Sequence, residues 1–271
     1  MKFIRLATVA ALSTTILAGG ATAAFAQETR EATTEGQIQF TPAGEEDGEL
    51  VVIPPVTPEE GAPEVDLDPI VPGTTGPLSI MYAPTMNFGS QVISNKDQTY
   101  NMVAEMARLT NPEDGGPTHV PYASFAQVQD VRGSNAGWDL QVSLSDFKSG
   151  TQNDTLTGAE IEFVNSAIRY EGNNTENAPE SHQAGLKLLP NGAARSVMTA
   201  AQGKGAGASS VVWGNQADLN AQFADEENDV VTNDAIKLSI PGATAKDATT
   251  YTSTLTWELT TTPGDDAGEE G

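Results

Sequence analysis

From Leu78 onward the chain runs as short apolar stretches, broken every few residues by Gly, Asn, Asp or Pro. That punctuation narrows the fold sharply, because strand side chains alternate with period two and helical ones with period 3.6. Candidate strands cover 78–82, 86–93, 100–106, 122–131, 138–147, 155–170, 195–201, 209–214, 235–240 and 250–262. Only 215–224, where Leu219 and Phe223 stand four apart, competes as a helix. Short strands at this spacing with turn residues between them predict an all-β domain. The expected form is an antiparallel β-sandwich or a barrel-like arrangement, about 185 residues long.

Such a domain must be held by its core alone, since the chain contains no cysteine. Disulfides, thiol catalysis and cysteine-based zinc sites are thereby excluded. The first 26 residues read as a secretory signal peptide. Lys2 and Arg5 make a positive start, Leu6 to Leu17 is mostly apolar, and Ala24-Phe25-Ala26 offers a small-x-small cleavage site. The apolar core is too short for a permanent span, and no later stretch reaches the roughly 18 to 20 residues a membrane helix needs. The mature protein is expected to be exported and soluble, with no membrane insertion.

The routes of attachment narrow in the same way. Leu17-Ala18-Gly19 is followed by Gly20 where a lipoprotein has cysteine, and the end "TTTPGDDAGEEG" has no sortase signal. Retention at a cell surface is therefore expected to be non-covalent. Net charge is −24, and removing the signal peptide with its two basic residues takes it to −26. Such a chain repels phosphate, which excludes nucleic acid and anionic membranes as partners.

Residues 27–76 have a composition of their own. They hold twelve acidic residues against Arg30 alone, and eight of the sixteen prolines fall between Pro42 and Pro77. Each proline lacks a backbone donor and favours extended chain, so this segment reads as a disordered, acidic, Pro-rich linker, mostly unpacked. Leu50 to Ile53 is the one piece apolar enough to dock as an edge strand. Residues 264–271 form an acidic tail.

Catalytic signals are sparse. His119 in "GPTHVPY" and His182 in "ESHQAG" lie in loop-like sequence without metal-ligand partners at useful spacing, and read as solvated. A glycan hydrolase needs two carboxylates in defined roles, and nothing here selects a pair. Asp225-Glu226-Glu227-Asn228-Asp229 lacks the ligand alternation of a calcium loop and reads as a solvated turn. "GKGAG", 203–207, lacks the phosphate-loop ending and reads as a flexible loop. No cofactor is expected, and the chain is not expected to be an enzyme.

Two strands stand out by their order. Trp138, Leu140, Val142 and Leu144 share one face of the first, with Asp139, Gln141 and Ser143 on the other. In the second, Tyr251, Ser253, Leu255, Trp257 and Leu259 share a face opposite Thr252, Thr254, Thr256, Glu258 and Thr260. Each carries Trp-acid-Leu. Trp213, in "VVWG", lacks that order and reads as core packing.

These motifs resemble those of the WxL-domain cell-surface proteins of low-GC Gram-positive bacteria. The family's second motif, Tyr-x-x-x-Leu-Thr-Trp-x-Leu running into a proline, is matched by Tyr251, Leu255, Thr256, Trp257, Leu259 and Pro263. The first is matched by Trp138 and Leu140. "GPLSIMYAPTMNFGSQVIS" and "LSIPGATAKDATTYTSTLTW" also look like the family, so the resemblance covers about 77–263. It implies a secreted protein of the cell wall, bound non-covalently to peptidoglycan or another wall glycan. It also implies assembly with a membrane-anchored WxL-interacting protein and a sortase-anchored surface protein. An alternative is a structural subunit that docks a protein partner without touching glycan. The candidate contact residues are Trp138, Asp139, Leu140, Tyr251, Leu255, Thr256, Trp257, Glu258 and Leu259, with the two tryptophans either core neighbours or partly exposed.

Overall fold

The computed structural model describes residues 38–40, 51–67 and 73–261. The chain divides between Phe40 and Thr41, and every element named here belongs to the second unit. The signal peptide and the acidic tail lie outside the described residues.

Along the chain come β1 (Val65–Asp66), β2 (Leu78–Tyr82), β3 (Gln98–Val103), β4 (Glu105–Leu109) and β5 (His119–Tyr122). Next are β6 (Ser124–Asp130), β7 (Trp138–Leu144), β8 (Glu160–Phe163), β9 (Ala167–Tyr170) and β10 (Glu180–Ser181). The last are β11 (Leu186–Leu188), β12 (Arg195–Ala200), β13 (Gly207–Trp213), β14 (Thr232–Ile240) and β15 (Leu255–Thr260). One α-helix among the described residues, α1 (Gln216–Ala224), joins β13 to β14.

The all-β class is as expected, but the strands do not form the two faces of a sandwich or one closed barrel. Among the described residues they divide into four small sheets, with orders β1-β4-β5, β10-β12-β7-β15, β11-β8-β14-β3 and β2-β6-β13-β9. Single-residue bends make two of the passages between sheets. β3 and β4 are one run broken at Ala104, whose N–H bonds the Val231 carbonyl at 2.9 Å, one residue past the last β3–β14 pair. β5 and β6 break at Ala123, whose N–H bonds Oε1 of Gln216 in α1 at 3.0 Å. A buried N–H must find a partner, and each bend carries the strand from one sheet into the next while supplying one. The expected single strand over 155–170 likewise splits, β8 pairing with β14 and β9 with β13.

Residues 86–93, expected as a strand, join no sheet. Gly89 adopts φ +70°, and the Asn87 carboxamide accepts its N–H at 2.9 Å, so the segment turns and extends no ladder. The helix appears where its spacing placed it. Asn215 caps it through Ala217 N–H at 2.9 Å, and Leu219 is buried while Phe223 is exposed.

The expectation of a mostly unpacked linker is corrected over 51–67. Val56, Ala62 and Val65 are buried in a second core cluster with Tyr122, Phe125 and Leu219. Proline does bar this stretch from a central ladder, but two side chains stand in for a strand. Gln127 accepts from Ile53 N–H at 2.9 Å and donates to its carbonyl at 2.7 Å. The Tyr122 hydroxyl does the same for Val56, at 2.9 Å each way. Of the expected edge strand Leu50 to Ile53, Leu50 lies outside the described residues, Ile53 is held in this manner, and 51–53 form no strand. The main cluster lies under β7, β8, β13 and β14, around Trp138, Trp213 and Phe163.

Candidate functional site

β7 and β15 are antiparallel neighbours, which brings the two motifs side by side: Leu259 faces Leu140, Glu258 faces Gln141 and Trp257 faces Val142. β7 is flanked by β12 and β15, whereas β15 ends the strand order of that sheet among the described residues. The alternation of both strands holds, with different depth. Trp138, Leu140, Val142 and Leu144 are fully buried. Tyr251, Leu255, Trp257 and Leu259 are half-buried, and Thr256 and Glu258 are exposed.

Trp138 is locked by more than packing. Its indole N–H donates to the Gly205 carbonyl at 3.0 Å. Gly205 sits at φ +73°, and a Cβ there would meet the Ala200 Cβ at 2.5 Å and Trp138 Nε1 at 2.7 Å. The expected flexible "GKGAG" loop thus includes a buried glycine packed on Trp138.

The two motif acids diverge. Asp139 is fully buried and accepts hydrogen bonds from Ser196 and Thr199 of β12, both at 2.8 Å, and from Gln141. A buried carboxylate needs such donors. Glu258, on the outermost strand, faces solvent.

Behind β15, Trp257 lies 6.2 Å from Trp213 at 49°, and Trp213 stacks on Phe163 at 4.7 Å. Trp213 is core, as its sequence context suggests. Its indole N–H donates to His182 Nε2 at 2.8 Å, so His182 is not the solvated loop residue expected. It is 4% exposed, and burial lowers its pKa. The flanking sequence is loop-like, but Pro179 and His182 fold inward beside β10. No local signal marks that. His119 is exposed at the start of β5.

Two concavities adjoin these elements. A groove of about 770 Å³ is lined by Met86 to Ile93, Lys246 to Ser253 and the rings of Tyr100, Phe147 and Tyr251. The Tyr251 hydroxyl donates to the Asn153 carbonyl at 2.6 Å and accepts from Asp247 N–H at 2.9 Å, which fixes the ring. A smaller cleft of about 460 Å³ holds Glu105, Asp66, Arg108 and His119. Burial raises the pKa of Glu105, opposed by hydrogen bonds from Ser124, Thr85 and Tyr82. Tyr82 is itself raised, first by burial and then by the Glu105 charge. Asp66 is ion-paired with Arg108. Among the described residues no group of three or more His, Cys, Asp or Glu is placed to hold a metal ion. Asp225 accepts Glu227 N–H at 3.0 Å within an exposed turn.

The paired tryptophan strands of this all-β domain thus pass from a sealed centre to a half-buried margin. The chain belongs to the family described as WxL domain surface cell wall-binding, whose model matches residues 27–263. That span begins well before the motif-bearing region and takes in the packed stretch 51–67. No curated protein and no solved structure matches the chain. Family membership makes this a cell-wall surface protein. No helix among the described residues is long and apolar enough to cross a membrane.

Proposed function

We propose that this chain is a non-catalytic protein that holds to the wall without a covalent tether, takes peptidoglycan or another wall glycan as ligand, and works within a multi-protein surface complex. The observation that carries the reading is the unequal depth of the two motifs. A ligand touches only accessible atoms, and Trp138, Asp139 and Leu140 have none to offer. They are the frame. Tyr251, Leu255, Trp257 and Leu259 on one face, and Thr256 and Glu258 on the other, all on or beside the outermost strand, are the residues that frame positions for contact.

Absence of catalysis is supported by the state of the histidine nearest the tryptophans. Both ring nitrogens of His182 are engaged, with Trp213 and with the Gln183 carbonyl, so it is not offered to a substrate as a base. The partner classes come from the resemblance: a membrane-anchored WxL-interacting protein and a sortase-anchored surface protein. Residues 77–263 carry 21 acids and 10 bases, a net of −11. Adhesion to an anionic wall therefore rests on short-range contacts, aromatic faces and hydrogen bonds, against long-range repulsion.

The test is sedimentation of the purified mature protein with protein-free, teichoic-acid-stripped walls, beside beads coated with the candidate partners. Co-sedimentation with bare walls supports glycan binding. Capture by the beads alone would replace it with protein docking, and clearing of walls in a zymogram would overturn the non-catalytic reading.

A further inference from the structure

The groove between Met86–Ile93 and Lys246–Leu255 has a volume, about 770 Å³, within the roughly 300–1,000 Å³ typical of small-ligand sites. Tyr100 from β3, Phe147 after β7, Leu238 from β14 and Tyr251 give its lining an aromatic and apolar part, beside polar side chains such as Asn87 and Gln91. At its margin Val92 and Ile93 are 89% and 54% exposed, on a segment that joins no sheet. A lone exposed valine needs no explanation, but two consecutive apolar side chains beside an aromatic groove extend its apolar surface outward.

The charged groups of the lining are already engaged within the protein. Lys246 Nζ donates to the carbonyls of Ser94, Pro241 and Thr244 at 3.1, 3.2 and 2.9 Å. Asp247 accepts from the N–H and carboxamide of Asn153 at 2.8 and 2.6 Å. Among the described residues Lys246 and Asp247 are the groove's one cation and one anion, so its lining has no net charge within a domain of net −11 and offers an anionic polymer no excess of positive charge. Ser90, Thr249, Thr250 and Thr252, all exposed, add hydroxyl side chains to the same lining. Aromatic rings and neutral hydroxyls in one groove match the chemistry of an uncharged sugar, whose ring has apolar faces and a polar edge. The apolar margin adds a place for a methyl group carried on an amide.

We propose that this groove binds neutral N-acetylated glycan, with the rings of Tyr100 and Tyr251 against sugar faces and Val92 and Ile93 against acetamido methyls. The proposal rests on the wall-glycan reading and deepens it, setting the principal contact beside Trp257, where β15 is entered.

The test uses the mature protein with two soluble probes, chitotetraose and cellotetraose, which differ in their acetamido groups, together with bare walls. Val92→Glu and Ile93→Ser alter exposed side chains, so the melting temperature should not move. Calorimetry should show chitotetraose binding at least about tenfold tighter than cellotetraose, and either variant should weaken both chitotetraose and wall binding by a similar factor. If wild-type protein binds walls and the variants bind equally well, the groove is wrong and the wall reading stands. If wild-type protein does not bind walls at all, the wall reading itself fails. Equal affinity for the two sugars overturns the acetamido assignment. Loss of capture on partner-coated beads with wall binding intact would make the groove a protein-docking face and overturn the proposal.

Discussion

The Trp213 indole donates to His182 Nε2 at 2.8 Å, and the two rings stack 6.1 Å apart at 24°. Indole is only a donor, so Nε2 must be unprotonated and the imidazole proton sits on Nδ1, donated to the Gln183 carbonyl at 2.6 Å. This arrangement accepts only the neutral ring. Protonation would set two N–H groups against each other, next to the indole that supports Trp257.

Burial therefore holds the folded-state pKa of His182 below its ordinary value of 6.5, opposed in part by the Gln183 carbonyl. The unfolded chain takes up the proton first as pH falls. The neutral ring's contribution to stability is complete above about pH 6.5 and declines below it, towards the lowered folded pKa. Thermal melts should be flat from pH 8 to 7 and fall from pH 6.5 downward. His182→Gln should flatten that fall while lowering stability at pH 7.5 by about 1–3 kcal/mol through imperfect pairing of the Trp213 N–H. An unchanged acid slope in the variant would mean that His182 is not the group responsible.

Tyr122 reads the backbone of 51–67 through one hydroxyl that both donates to and accepts from Val56. Burial pushes its pKa up to about 12, consistent with an enclosed phenol. Tyr122→Phe keeps the ring and leaves two backbone groups of Val56 unpaired, at a cost of about 1–3 kcal/mol. Denaturant titration measures that loss. Limited proteolysis should show faster cleavage within 51–67, and equal protection in the variant would mean that this stretch is held by other contacts.

The tryptophans should separate by depth. Trp138→Ala empties a sealed site and strips the Gly205 carbonyl of its donor, so it should cost about 3–5 kcal/mol. Trp257→Ala removes a half-buried ring and should cost less, about 1–3 kcal/mol. The expected Trp257 variant is folded by circular dichroism and impaired in wall sedimentation. A folded variant that binds walls normally would confine Trp257 to support of Trp213.

Alternation reports which side chains share a face, and that much was legible in the sequence. Period two in 138–144 and 255–260 identifies each strand's inner row, and the shared Trp-acid-Leu order marked two strands that prove to be paired. Depth is not local information. Asp139 and Glu258 hold equivalent places in their motifs, yet one is sealed and the other exposed, because Ser196 and Thr199, 57 and 60 residues away from Asp139, close over the first. The burial of His182 depends likewise on Trp213, 31 residues on. In 51–67 the prolines bar a central strand, and only the short β1 pairs, at a sheet margin with β4, but side-chain surrogates such as Gln127 and Tyr122 cannot be inferred from the segment they hold. Residues 86–93 fail in the opposite sense: apolar content suggests a strand where Asn87 and Gly89 make a turn.

Wall binding should depend on charge in a way that His182 complicates. With a net of −11 over 77–263, approach to an anionic wall is opposed at neutral pH. The repulsion is long-ranged, and screening shortens it from about 30 Å at 0.01 M salt to about 8 Å at 0.15 M. The clean experiment is at pH 7.5, where His182 is neutral in folded and unfolded chains alike, so added salt changes the repulsion without that group's titration. Sedimentation with walls that retain teichoic acid should rise with salt or divalent cation. Lowering the pH towards the carboxylate range, near 4, should also strengthen binding by neutralising both surfaces. The same acid weakens the domain through His182, so the gain should persist only while circular dichroism still reports the native fold. Binding that is indifferent to salt at pH 7.5 and equal at pH 4.5 would show that net charge plays no part in adhesion.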